Sequence, residues 1–548
     1  MAEKLLCLLI FFCCLHWTQP DNINEDTEDW MQKGQDELAA ALKIQHNMGV
    51  AKNVILFLAD GMGVSTVTAA RIYKGQRDGK SGEETLLNFE HFPHAAFAKT
   101  YSTDKQVSDS AGTATAFLGG VKANSGTLGV NARVTRQNCT VFPEGSVDTI
   151  MDWALAAGKS VGLVTTTHVT HATPAAAYAH TPERDWESDA TMGSANDLCK
   201  GKVKDIATQL IEDESNTRIK VILGGGRRHF LPNTALVPGT LDQLNVHGRV
   251  DGRDLIQVWK DNKDNRGAKA TYLWNKQQLD AIDVNKTDYL LGLFNQGHMS
   301  FELNRNMTGV ITEPSLAEMT TAAIRILSKD DNGFFLLVEG GRIDHAHHGN
   351  NAHLALSETV AFDDAVAVAK EMTGDETLMV VTADHSHVLT MAGYPDRGHD
   401  IFGIQDSLSQ DGAQDLMPYA TLSYANGPGP GRVDLTYTDT TSKFHQQSRL
   451  VPMNYETHAG EDVGIYATGP MSHLFHGVHE QNYIAHVMAY ASCVGPNTQH
   501  CHQHRPREPD AETKTKGDGL CESGGLRRAT DVVVTLMALL VSFLWWNL

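Results

Sequence analysis

Four carboxylates and a group of histidines in this chain have the types and spacings that hold metal ions. Asp344-His-Ala-His-His348 sets Asp344 and His348 four residues apart, on one face if the segment is helical. Asp384-His385-Ser386-His387 offers three further ligand-type side chains, and Glu456-Thr-His458 adds another histidine. Asp60 follows the apolar run Phe57-Leu-Ala, Glu339 follows Phe335-Leu-Leu-Val, and Asp384 follows Val380-Val-Thr-Ala. If those runs are strands of an open α/β sheet, their carboxylates meet outside the carboxyl ends, where such sheets bind ligands. Like charges crowded there oppose joint ionisation, and cations resolve the conflict. Mixed His and carboxylate ligands with open positions suit catalytic zinc. The oxygen set of Asp60, Glu339 and a hydroxyl such as Thr173 suits magnesium. The 26 histidines agree with a metal or acid-base role.

A nucleophile can sit beside such ions. Asp109-Ser110-Ala-Gly-Thr-Ala places Ser110 just before a small-residue helical stretch. Alone, this serine reads as an N-cap. Beside zinc its alkoxide is stabilised, and a helix N-terminus favours anions. Neither a G-x-S-x-G elbow nor a G-x-x-x-x-G-K-[ST] loop occurs, so an α/β-hydrolase elbow and a P-loop are unsupported.

The elements that must position these residues are short apolar runs separated by helical patterns. Asn53–Ala59, Ser160–Thr165, Lys220–Leu223, Phe334–Val338 and Thr377–Thr382 read as buried parallel strands, and Ser315–Leu327 and Leu354–Lys370 as helices. The alternation predicts an α/β fold, three layers with a large, mainly parallel central sheet. Asp29–Gln45 reads as an amphipathic arm helix, and residues 393–457 as a small inserted subdomain within a catalytic domain of residues 29–500. With 45 basic against 66 acidic side chains the net charge is −21, which argues against nucleic-acid binding, while 41% hydrophobic residues exclude a disordered chain.

Both ends read as processing signals. Lys4 and the apolar run Leu5–Leu15 form a secretory signal, ending near residue 19. Residues 505–525 are a polar stalk, and the apolar tail Val532–Leu548 ends the chain. Small residues, a spacer and a terminal apolar tail form a GPI-anchor signal, with attachment at Gly517. That layout places the protein on the extracellular face of the plasma membrane. Removal of both ends leaves Cys139, Cys199, Cys493 and Cys501, which allow three connectivities. Cys493 and Cys501 are close enough for a local loop, leaving Cys139 with Cys199; a rival takes His500, Cys501, His502 and His504 as a zinc cluster. Asn138, Asn285 and Asn306 open N-x-[ST] glycosylation sequons.

Asp60-Gly-Met-Gly, Asp109-Ser110-Ala, Val338-Glu-Gly-Gly-Arg-Ile-Asp344-His-x-His-His348, Thr382-Ala-Asp-His-Ser-His387 and Thr457-His458-Ala-Gly-Glu-Asp together resemble the vertebrate alkaline phosphatases, from about Asp29 to Cys501. The resemblance implies two zinc ions and one magnesium ion. Asp344, His348 and His458 match the first zinc site, and Asp60, Ser110, Asp384 and His385 the second. Asp60, Thr173 and Glu339 match the magnesium site, with His171 in its outer shell; His387 matches a residue beside the first zinc. Arg184 matches the arginine that binds substrate phosphate. It implies hydrolysis of a broad range of phosphate monoesters through a phosphoserine at Ser110, and a homodimer with the arm helix on its partner. Ala59 stands where glycine is usual, and Thr173 where serine is common. The family's peripheral calcium site departs further: Asn295 follows Phe294 where glutamate is usual, Glu313 stands for aspartate, and no acid matches near Pro238–Gly239. Weak or no calcium binding is therefore expected.

The enzymatic rival is a phosphodiesterase or sulfatase of the same superfamily, but no C-x-P-x-R sulfatase motif lies in the nucleophile region. A catalytically dead adhesion protein predicts lost ligands, and none of the core set is lost.

Overall fold

The computed structural model describes residues 25–193, 199, 201–239, 244–305, 311–405 and 412–504. The signal segment, the stalk, Gly517, the apolar tail and the Asn306 sequon lie outside them.

The apolar runs form the middle of a ten-stranded sheet. In chain order the first eight strands of that sheet are β1 (Asn53–Leu58), β2 (His94–Lys99), β3 (Ser160–His168), β4 (Val221–Gly225), β5 (Ala270–Leu273), β6 (Tyr289–Leu293), β7 (Phe334–Glu339) and β8 (Thr377–Thr382). Val463–Thr468 and Gly477–Glu480 complete it, and the spatial order is Gly477–Glu480, β2, Val463–Thr468, β8, β1, β7, β3, β4, β6, β5. Val463–Thr468 runs against both neighbours, and every other pairing is parallel. Every residue of β1, β3, β4, β7 and β8 is buried. Strands covered on both faces give continuous apolar runs, which is why these five were readable. β2 alternates buried and exposed positions, and β5 is mostly half-buried.

Helices cover the sheet in two groups. Val64–Arg77, Leu316–Leu327 and Ala352–Met372 pack together, as do Ser110–Gly119, Ile150–Ala156 and Tyr483–Ser492. The expected helix from Ser315 begins one residue later, because Ser315 is its cap: the Glu318 amide donates to Ser315 Oγ at 3.2 Å, and the Ser315 amide to Glu318 Oε2 at 2.8 Å. The Leu354–Lys370 pattern lengthens to Ala352–Met372 behind the cap Asn351. The first described helix, Thr27–Ala41, buries none of its residues.

Between β8 and Val463–Thr468 the chain leaves the main sheet. Leu389–Met391 pairs antiparallel with Leu422–Gly427, which pairs parallel with Arg449–Pro452. Ile404–Gln405 pairs with Tyr419–Ala420. Cys139 is bonded to Cys199 and Cys493 to Cys501, so Cys501 has no thiolate to give a zinc ion. Asn285 is exposed and Asn138 half-buried.

β8, β1, β7 and β3 are adjacent, so their carboxyl ends lie side by side. Leu56 sits in the centre of β1, fully buried between Leu337 of β7 and Val380 of β8. Leu56→Ala is expected to lower unfolding stability by about 3 kcal/mol, read from denaturant midpoints; an unchanged midpoint would show that this layer does not carry the fold.

Candidate active site

Each of the four central strands delivers a site residue at or just past its end. Glu339 is the last residue of β7, Asp60 and Asp384 lie two beyond β1 and β8, and His171 and Thr173 follow β3. Gly61 allows the turn after Asp60. Its φ is +78°, and a Cβ there would lie 2.5 Å from the His387 ring.

Asp344 and His348 do share a face of one helix, Arg342–His348. Asp344 Oδ1 lies 3.2 Å from His348 Nε2 and 3.3 Å from His458 Nε2, and the two imidazole nitrogens lie 3.3 Å apart. A tetrahedral zinc ion with ligands at ~2.0–2.1 Å separates its donor atoms by about 3.3 Å. His348 Nδ1 donates to the Glu456 carbonyl, and His458 Nδ1 to the Ser108 carbonyl at 2.8 Å. Such carbonyl bonds fix the tautomer that leaves Nε2 free for a metal.

A second group adjoins it. His385 Nε2 lies 3.0 Å from Asp384 Oδ2, 3.6 Å from Asp60 Oδ1 and 3.2 Å from Ser110 Oγ, and its Nδ1 faces the Ser386 carbonyl at 3.3 Å. The other Asp384 oxygen accepts the amides of Gly61 and His385. A third group is all oxygen. Glu339 Oε2 accepts the hydroxyls of Thr165 and Thr167. Glu339 Oε1, Thr173 Oγ1 and both Asp60 oxygens are buried without a hydrogen-bond partner among the described residues. Buried polar atoms are ordinarily paired. Orphans gathered at one place, on carboxylates and a hydroxyl, fit divalent cations.

His387 is different. Its Nε2 donates to Asp344 Oδ1 at 2.8 Å and its Nδ1 to Glu456 Oε2. Burial opposes its charge, but Glu456 and Asp344 outweigh burial and raise it to about 10. An imidazolium holding two carboxylates orients ligands and cannot itself be one. Glu456, which also accepts the Val388 amide at 2.8 Å, is an organiser that its sequence motif did not distinguish from a ligand.

Ser110 is not the cap of its helix. Asp109 is: its Oδ1 accepts the Gly112 amide at 3.2 Å and the Gly126 amide at 3.0 Å, while Oδ2 accepts Arg184 Nη1 at 2.9 Å. The Ser110 hydroxyl is thereby left free of capping, 2% exposed at the helix start. Burial works against the Asp109 charge, yet Arg184 and the two amides keep it below the usual carboxylate range. Asp109 thus ties the arginine to the serine's own helix, a role its sequence neighbours do not signal. Arg184 Nη2 also reaches His171 Nε2 at 3.4 Å.

With this geometry in view, the comparisons with known proteins decide the family. The alkaline phosphatase family model matches residues 51–494. The chain belongs to the alkaline phosphatases. It is 52% identical over 509 residues to the tissue-nonspecific alkaline phosphatase of Gallus gallus, covering 91% of this chain and 96% of that one. The tissue-nonspecific isozyme of Homo sapiens is 49% identical over the same length, with 91% and 95% covered. Among solved structures, the alkaline phosphatase of Thermus thermophilus is similar in fold, with TM-score 0.56 at 24% identity over 82% of this chain and 93% of that chain. As a member of this family the chain is a phosphomonoesterase.

The carboxylates are electrostatically unequal. Burial and the charges of Asp384, Asp344 and Glu339 hold Asp60 well above the usual carboxylate range. Burial pushes Glu339 up to about 7 against its threonine donors. Asp384 and Asp344 lie below the range despite burial, because histidines face them. Carboxyls raised in this way keep their protons to higher pH than ordinary carboxyls when no cation is near, Glu339 to about 7, and a cation must displace them. Binding of zinc and magnesium to stripped enzyme at pH 7 is therefore expected to release protons, and apparent affinity to weaken as pH falls below 7. Calorimetry in buffers of different ionisation enthalpy measures this; binding without proton release contradicts it.

Proposed function

We propose that this enzyme hydrolyses phosphate monoesters by two displacements at phosphorus, with Ser110 as nucleophile. Arg184 binds the non-reacting phosphate oxygens, and its planar guanidinium can hold two of them at once. The observation that carries this reading is the convergence of Ser110 Oγ on His385 at 3.2 Å while Asp109, the adjacent residue, holds Arg184 at 2.9 Å. Nucleophile and phosphate grip are fixed to one helix start, where the helix itself favours anions.

Asp344, His348 and His458 would hold one zinc ion and Asp60, Asp384, His385 and Ser110 a second. Asp60, Thr173 and Glu339 would hold magnesium, with His171 beyond it. When bound, these ions supply Lewis-acid charge that favours the ionised form of a serine hydroxyl and of water and offsets the phosphate charge. The protein's share begins with orientation. Ser110 attacks as its alkoxide, forming the Oγ–P bond as the ester O–P bond breaks; the leaving oxygen takes up a proton. Water then opens the Oγ–P bond, inorganic phosphate departs, and the Ser110 hydroxyl is restored. Arg184 keeps the phosphoryl group aligned through both displacements. Recognition confined to the phosphoryl group supports broad monoester use.

No tightly held calcium belongs to this reading. Both Glu313 oxygens are engaged, Oε1 by Asn295 at 2.7 Å and Ser300 Oγ at 3.0 Å, and Oε2 by the Ser300 amide at 2.8 Å. We also assign a homodimer: the Thr27–Ala41 helix exposes Trp30, Met31 and Leu38, a face that a partner subunit would cover.

Ser110→Ala is expected to lower kcat on p-nitrophenyl phosphate by on the order of 10³-fold or more and to abolish trapping of a labelled phosphoenzyme. A covalent phosphate retained in that variant overturns the nucleophile, and a faster rate on a diester than on its matched monoester overturns the substrate class.

Anchoring through Gly517 accords with the name of a 46% identical relative from Bombyx mori, a membrane-bound alkaline phosphatase. Phosphatidylinositol-specific phospholipase is expected to release the activity from membranes; activity that stays membrane-bound after treatment rejects the anchor.

A further inference from the structure

Beyond Arg184 the site continues into a wall of imidazoles that none of the ligand sets uses. His171, which touches Arg184, meets His298 edge-on with ring centroids 5.2 Å apart. His345 lies 4.4 Å from His298, and His298 stacks flat on His168 at 3.7 Å. Nitrogen atoms of His171, His298 and His345 fall within 4.8 Å of one another, a spacing that invites a metal ion.

The hydrogen bonds argue for the opposite ligand. A neutral imidazole coordinates a cation through its unprotonated nitrogen. His298 Nδ1 accepts the His168 main-chain amide at 3.1 Å. His345 Nδ1 accepts from Arg342 Nη1 at 2.9 Å, a group that only donates. In both rings the lone pair is taken up at Nδ1, so the proton sits on Nε2. Neither Nε2–H has a partner among the described residues. Two adjacent donors without an acceptor require oxygen lone pairs.

The surrounding charge agrees. Arg342 lies over the Phe301 ring at 3.8 Å, and Arg228 donates to His168 at 3.2 Å and to His229 at 3.3 Å. Neither guanidinium forms an ion pair among the described residues. Nearby carboxylates are held elsewhere: Glu187 accepts from Thr170 and His168, Glu313 from Asn295 and Ser300, and Glu358 from the Glu302 amide. His298, His345, Arg228 and Arg342 are all half-buried, so solvent and solutes reach them.

We propose that His298 and His345, with Arg342 and Arg228 beside them, form a second oxyanion subsite next to Arg184, selecting monoesters whose leaving group carries another anionic group. The inference rests on the phosphatase reading and adds a substrate preference to it. The second group is an oxyanion, phosphate or carboxylate, placed to accept the free Nε2–H bonds while the scissile phosphate lies on Arg184.

The test is a matched series: propyl phosphate, propane-1,3-diol bisphosphate and 3-phosphooxypropanoate. Wild-type enzyme is expected to show higher kcat/KM on the two charged esters, by an excess that shrinks with added salt. Preference for the bisphosphate alone assigns the subsite to phosphate; preference for both assigns it to oxyanions generally. His298→Phe keeps a ring on His168 and removes the donor. It is expected to lose about tenfold in kcat/KM on the charged esters, through KM, the effect of one hydrogen bond to a charged group. Propyl phosphate turnover should stay within about twofold of wild type, which also reports that the variant folds. Arg228→Gln should move the same way by less. Equal losses on all three esters, or no wild-type preference, overturn the subsite and leave the phosphatase reading intact. Failure of wild type on all three esters removes both. Metal content should be the same in wild type and His298→Phe; loss of one bound ion in the variant overturns the tautomer assignment and makes the wall a metal site.

Discussion

Four buried carboxylates crowd the ends of neighbouring parallel strands, and the rest of the molecule is arranged around that conflict. Asp60, Glu339 and Asp384 are 0% exposed and Asp344 4%. In a low-dielectric interior such charges cannot all persist unaided. The protein meets part of the charge itself, through amides on Asp384, hydroxyls on Glu339 and imidazoles on Asp344. It leaves Asp60 and one oxygen of Glu339 without a hydrogen-bond partner among the described residues. A fold that fully satisfied these groups would have no use for cations, so the incompleteness is itself the functional feature. It is held open by β1, β3, β7 and β8, which are buried throughout and fix the carboxylates in place.

Charge of the other sign is handled with the same economy. Arg184 is fastened by Asp109, and Asp109 by the first turn of the helix that carries Ser110. A shift of that helix therefore moves Ser110 and Arg184 together, the proposed nucleophile and phosphate grip. This couples orientation to the backbone, where a 1 Å error would otherwise be costly to rate.

The sequence made the central strands legible because burial on both faces writes an uninterrupted apolar run. It made Asp60, Glu339 and Asp384 legible because each follows such a run. The spacing of Asp344 and His348 was readable for the same reason, since helical periodicity alone puts them on one face. The strands towards the two sides of the sheet were not legible: β2 alternates, β5 is mostly half-buried, and Val463–Thr468 alternates buried and half-buried residues at the one position where the sheet reverses direction. Partners that act from afar were also hidden. Nothing in the neighbourhood of Asp109, Glu456 or Ser108 marks them as the groups that orient Arg184, His387 and His458, because those contacts cross 75, 69 and 350 residues of chain.

The histidines show most sharply where sequence stops and structure begins. In the chain they are one residue type; in the fold they divide by what touches Nδ1. At His348, His385 and His458 a carbonyl accepts from Nδ1, so Nε2 presents a lone pair. At His298 and His345 a donor occupies Nδ1, so Nε2 presents a proton. His387 faces an acceptor at each nitrogen and carries both protons. His347, between Thr66 at 3.1 Å and Tyr424 at 2.8 Å, is a satisfied core residue. His345 and His347 stand two residues apart in one motif, yet one faces the site with a free donor and the other is closed on both sides. A single neighbouring atom turns the same ring into a ligand for cations, a donor to anions or a structural bridge, and so a histidine count points to the chemistry without assigning it.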